Sequence, residues 1–179
     1  MLQIPLTFTP LCVKINTVSG KKWREVEISV RKWCILMFMG QYNHTVDTKG
    51  RLIVPVKFRE ELGDHFVVTR GLENCLSVYS MADWKKFEEK LAQLPMTNPN
   101  ARKFVRFMVS GASECELDKM GRILLPQPLR QVAGISKNVV LSGNLDHVEI
   151  WDQEKWIEAD TYTDEDRNGF AENMGGFAI

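Results

Sequence analysis

Two arginines stand at matching points of a repeated pattern: Arg51 ends the stretch DTKGR that begins at Asp47, and Arg122 ends DKMGR, which begins at Asp118, 71 residues later. A guanidinium set just past a turn glycine offers a planar fork of donors. That fork fits a phosphate, or the edge of a guanine in bidentate fashion. Lys49 and Lys119 bring a point charge to each turn. A salt bridge from each arginine to the aspartate four residues earlier is the plainer reading. The two readings are compatible, since such a bridge would aim the side chain.

The elements that must hold these arginines can be read outward from them. Asp at the first position and Gly at the fourth suit a type I turn, so Asp47 with Gly50, and Asp118 with Gly121, each predict a hairpin. After each arginine come a short apolar strand, a proline (Pro55, Pro126) where a helix begins, and a second arginine (Arg59, Arg130) just beyond that helix's apolar face. Structural ion pairs are expected for Arg59 and Arg130. Phe58 with Leu62, and Leu129 with Ala133, fall four apart and share a helix face, and Gly63 and Gly134 follow as stops.

The same order of elements returns in both halves: strand, turn, strand, short helix, two strands, helix. Repeat one is placed at 37–94, a linker helix at 98–110 and repeat two at 111–163, with a flexible tail over 164–179. The linker should turn Phe104, Phe107 and Met108 to one side and Arg102, Lys103 and Arg106 to the other. Each repeat has too few elements to bury a core alone. The two are therefore expected to pair about a pseudo-two-fold axis, interleaving their strands into one mainly β, α+β barrel with peripheral short helices.

Other chemistry is poorly served. Nucleophile-elbow, phosphate-loop, dinucleotide and zinc-protease motifs are all lacking, and His44, His65 and His147 are scattered. Cys12, Cys34, Cys75 and Cys115 have no metal-ligand spacing and read as reduced core or strand thiols. Asp47 and Asp118 could form a carboxylate dyad if symmetry brought them together, but turn capping already accounts for them. The expectation is a protein that is not an enzyme, without metal or cofactor. No apolar run approaches the roughly 20 residues of a membrane span, so a cytoplasmic location is expected. The 23 basic and 23 acidic residues cancel, so any contact with nucleic acid must be local.

The doubled D-x-x-G-R-x-x-x-P-x-x-x-R pattern, together with the opening MFMGQYNHTVD, the bridging ASECELD and the closing EIWDQEKW, resembles the MraZ family of the swapped-hairpin AbrB superfamily. The resemblance covers residues 37 to about 160. It implies a nucleoid-associated transcriptional regulator acting on the promoter of the division and cell-wall gene cluster. It also implies ring-shaped homo-oligomers that bind double-stranded DNA at short G-rich direct repeats. The family's motif arginine falls on Arg51 and, in the second unit, on Arg122. An antitoxin-like protein that also binds a protein partner is the alternative. Residues 1–36 precede the resemblance and read either as a basic arm or, the reading adopted, as an upstream extension absent from the native protein, with Met37 or Met39 as its start.

Overall fold

The computed structural model describes residues 37–174; the expected extension over 1–36 and the end of the expected tail, 175–179, lie outside the described residues. The first half of the described chain comprises β1 (Gln41–Thr45), β2 (Arg51–Ile53), α1 (Val56–Leu62), β3 (His65–Arg70), β4 (Leu76–Ser80) and α2 (Met81–Ala92). The connecting helix is α3 (Pro99–Ser110). The second half repeats the order with β5 (Ser113–Glu116), β6 (Arg122–Leu124), α4 (Gln127–Ala133), β7 (Asn138–Asn144), β8 (His147–Asp152) and α5 (Gln153–Ala159), followed by α6 (Asp164–Met174).

Local chemistry sets the boundaries. Pro55 and Pro126 occupy the residue before each short helix, with φ near −55° and ψ near 140°, one position earlier than the sequence suggests. Each therefore ends the preceding strand as well as opening the helix, because it has no N–H for a ladder. The helices that close each half are capped by side chains: Ser80 Oγ accepts from the Asp83 N–H, and the Asp152 carboxylate from the Glu154 N–H. Asn98 caps α3, with Pro99 in its first turn. The sequence suggests no helix over 164–174, where hydrophobic periodicity is weak; there α6 opens with Asp164, Glu165 and Asp166, which suit the positive end of a helix dipole.

The strands of the two halves are exchanged. The six-stranded antiparallel sheet runs β1-β7-β8-β4-β3-β5, and β2 pairs with β6 in a separate two-stranded ribbon. Swapping the two halves maps this order onto itself. The symmetric centres fall on the Ser77–Glu149 pair in the sheet and on the Leu52–Ile123 pair in the ribbon.

The expected barrel does not close. Among the described residues β1 and β5 remain edges of the sheet, and the ribbon stays distinct because β2 and β6 are three residues long and each is stopped by a proline. The short helices are also less peripheral than expected. Phe58 and Leu62 of α1, and Leu129 and Ala133 of α4, lie in the same buried cluster as Leu52 and Ile123 of the ribbon and Phe66, Leu76, Leu141 and Ile150 of the sheet. Phe58 anchors this core, edge-on to Phe38 and to Tyr42 at centroid distances of 5.9 and 5.1 Å.

Candidate nucleic-acid interface

Each arginine turn is a small, fully bonded unit. In the first, the Gly50 N–H donates to the Asp47 carbonyl at 2.9 Å and the Asp47 N–H to the Arg51 carbonyl at 2.9 Å. The Asp47 carboxylate accepts from the N–H groups of Lys49 and Arg51, both at 2.9 Å, and from Arg51 Nε and Nη2, both at 2.7 Å. The second turn repeats this set: Asp118 takes the N–H groups of Met120 and Arg122 at 2.8 and 3.0 Å, Arg122 Nε at 2.8 Å and Nη2 at 2.7 Å. One carboxylate thus closes the turn and fixes the guanidinium, which stays partly exposed.

Both aspartates are held acidic. Arg122, through its side chain and then its backbone N–H, keeps the Asp118 carboxyl down to about 2. The Arg51 N–H is the largest of the causes that lower Asp47. A dyad sharing one proton would need one carboxyl raised, so these shifts argue against it. Because a depressed carboxyl stabilises the fold above its ordinary value, about 3.9, and loses that contribution as pH falls through its folded value, the second turn should stay intact at neutral pH. It should loosen only between about pH 4 and pH 2, which a carboxyl NMR titration of Asp118 would check.

The glycines are required by conformation. Gly50 and Gly121 have φ of +82° and +71°, where a Cβ is strained. They also lie against side chains. A Cβ on Gly50 would come within 2.9 to 3.1 Å of the Arg130 guanidinium, and one on Gly121 within 2.8 Å of Arg59 Nε and closer still to its Cζ and Nη1. Gly50→Ala and Gly121→Ala are each expected to cost about 1–3 kcal/mol, with Gly121→Ala the larger, read as a fall in urea midpoint at unchanged m-value.

The ribbon gathers these turns on one surface. Leu52 and Ile123 point inward, while Arg51, Ile53, Arg122 and Leu124 alternate outward, with Arg51 opposite Leu124 and Ile53 opposite Arg122. The two arginines are diagonal neighbours, about 7–8 Å apart at their backbones. Ile53 and Leu124 beside them are 44% and 61% exposed, so the outer face of the ribbon is part basic and part apolar. Lys49 and Lys119 are exposed on the turn tips. The two arginines therefore share the outer face of the ribbon, with a lysine-bearing turn at each of its ends.

Arg59 and Arg130 do not form the expected ion pairs. Among the described residues neither meets a carboxylate; Arg59 Nε donates to the Val54 carbonyl at 2.7 Å and Arg130 Nε to the Leu125 carbonyl at 3.1 Å. Backbone carbonyls at the ends of the ribbon strands take the place of acids. Helix periodicity shows that these arginines lie off the buried face, but their reach to the turn of the other half depends on strand exchange, which no local signal encodes.

The remaining candidates do not assemble. Cys75 and Cys115 are free and buried, and burial raises their thiols to about 12 and about 11; Cys12 and Cys34 lie outside the described residues. His44, His65 and His147 sit on β1, β3 and β8, and no group of three potential metal ligands occurs among the described residues. Among those residues no helix is long and apolar enough to cross a membrane.

Known proteins resemble this chain in sequence. The family model described as "MraZ protein", and as antitoxin-like, matches the chain twice, over residues 37–107 and 108–174. The "Transcriptional regulator MraZ" of Caldanaerobacter subterraneus subsp. tengcongensis is 54% identical over 143 residues, which are 80% of this chain and all of that protein. Those of Clostridium acetobutylicum and Moorella thermoacetica are 52% and 54% identical over the same extents. These relatives are named as regulators, not as enzymes. With two consecutive matches to one family model and relatives more than half identical along their whole length, the chain belongs to the MraZ family.

Proposed function

We propose that this chain is a sequence-specific DNA-binding transcriptional regulator whose two arginine turns read the duplex. The observation that carries the reading is the outer face of the β2–β6 ribbon, where Arg51 and Arg122 are each braced by an aspartate and flanked by an exposed lysine. A braced guanidinium retains free N–H groups in a fixed direction, which suits guanine O6 and N7. Lys49 and Lys119 suit phosphates. The exchanged strands agree with the swapped-hairpin relationship of the AbrB superfamily.

The target we infer is a set of short G-rich direct repeats in the promoter of the division and cell-wall cluster, bound by a ring of several chains. Charge supports multiplicity. A chain of formal net charge +0 gains little from phosphates, and non-specific binding through such contacts alone is on the order of 10⁻⁴ to 10⁻⁶ M. Linking several modules raises avidity by about 10² to 10⁴. The rival antitoxin-like reading has the family description behind it, and the exposed Tyr162 and Phe170, packed edge-to-face at 5.6 Å, are the apolar side chains such a partner would use.

Gel shifts with a duplex from immediately upstream of the gene, run at two salt concentrations, test the proposal. Binding should weaken steeply with salt, and Lys49→Ala or Lys119→Ala should reduce the slope of log K against log salt by about 1 for each lysine engaged. Equal affinity for that duplex and for an unrelated one would refute the specific reading.

A further inference from the structure

Arg59 and Arg130 make contacts that the DNA reading alone does not use. Val54 joins three elements of two repeats: its carbonyl accepts from Arg59 Nε of α1 at 2.7 Å, and its N–H donates to the Gly121 carbonyl of the second turn at 3.0 Å. The Arg59 guanidinium in turn lies directly on Gly121, in the space a Cβ would fill. The other half mirrors this. Leu125 accepts from Arg130 Nε at 3.1 Å and donates to the Gly50 carbonyl at 2.9 Å, and the Arg130 guanidinium covers Gly50. Each trio of arginine, ribbon residue and glycine closes across the boundary between repeats.

We propose that each arginine turn is positioned by the opposite repeat, with Arg59 the positioning residue for the turn that carries Arg122 and Arg130 the positioning residue for the turn that carries Arg51. The chemistry requires arginine and glycine together. A planar guanidinium can lie flat on a backbone that has no Cβ while its Nε holds a carbonyl, and a lysine ammonium offers neither the plane nor the fixed Nε donor. A positive φ frees the glycine from a side chain, and the same bareness lets the guanidinium approach. Each turn's conformation is thereby tied to a helix of the other repeat, with Arg59 lying 62 residues before Gly121 and Arg130 lying 80 residues after Gly50, and the two turns are set reciprocally. The same arginine also acts on its surroundings: burial first, and then the Arg59 charge, lower the pKa of His44 on β1.

The functional half of this inference rests on the DNA reading, while its structural half does not. Amide NMR spectra of the full chain test the structural half without DNA. Arg59→Lys should shift the amides of Gly121 and Arg122 more than those of Gly50 and Arg51, and Arg130→Lys should do the reverse. Shifts confined to each arginine's own repeat, or equal in both turns, overturn the proposal. Arg59→Gln serves in the same comparison should the lysine variant fold poorly, with a thermal melt as the check. Fluorescence anisotropy with the upstream duplex tests the functional half. Arg59→Lys should weaken binding about 2-fold or more, and should add nothing to Arg122→Ala yet multiply with Arg51→Ala. Multiplication in both pairs overturns the functional half. Failure of the unaltered chain to bind that duplex counts against the DNA reading alone, because the amide comparison stands without it.

Discussion

Replacing Arg51 and Arg122 together by alanine is expected to abolish specific binding to the upstream duplex while leaving the fold in place. Discrimination by a good bidentate contact to a base is worth about 1–3 kcal/mol. Losing two such contacts therefore weakens binding by roughly 30-fold to 10⁴-fold for each chain engaged, and a ring compounds the loss. The fold should survive because neither side chain is buried: they are 35% and 25% exposed, and ion pairs at such positions contribute little to stability. The carboxylates left behind still cap their turns through two backbone N–H groups each. Arg→Lys at both positions is the informative control, since it keeps the charge and removes the planar fork. It should retain salt-sensitive binding without sequence preference. Anisotropy with matched and unrelated duplexes, beside a thermal melt, measures both outcomes, and full affinity in the alanine variant would remove these turns from the interface.

The second large effect concerns the halves themselves. A chain cut to residues 37–110 should not fold as a monomer. Alone it keeps the β3–β4 ladder and the single Val46–Leu52 bridge, because β1 loses β7, β2 loses β6, β3 loses β5 and β4 loses β8. A two-stranded hairpin with short helices is marginal in water. Phe58 would also lose Leu129, Leu141 and the rest of the second repeat's share of the common core. Truncating Phe58 alone to alanine would already cost about 3–5 kcal/mol. The cut chain should be unfolded at low concentration and should regain β structure only as a two-fold dimer, in which a second copy supplies the missing strands. Sedimentation and circular dichroism over a concentration series distinguish these states, and a folded monomer would contradict the exchanged topology.

The parts legible in the sequence are those that local chemistry dictates. Asp47 with Gly50, and Asp118 with Gly121, announce their turns because few residues other than glycine take a positive φ. The short helices announce themselves through Pro55, Pro126 and the apolar pairs on one face. Repetition then predicts a symmetric partnership. The sequence does not say which strand lies beside which, because β3 has equally apolar neighbours on offer in either half. The barrel expectation failed there, since closure depends on how far three-residue strands can carry a ladder. Arg59 and Arg130 were misjudged for a related reason: their spacing marks them as lying off the helix's buried face, but the carbonyls and glycines that receive them come into reach only once the halves have exchanged strands. The α6 helix left no trace, as its residues lack the apolar period that marks a packed helix.

The palindromic strand order, achieved within one polypeptide, bears on how the bound site must look. Two identical subunits would copy any change in one turn to the other and would call for a dyad-symmetric target. Here the tips have diverged: the ammonium is on the third residue of the first turn, Lys49, but on the second residue of the other, Lys119, with Met120 facing solvent beside it. On the DNA reading proposed above, the molecule would have a head and a tail along the double helix, and its preferred site would read differently in its two directions.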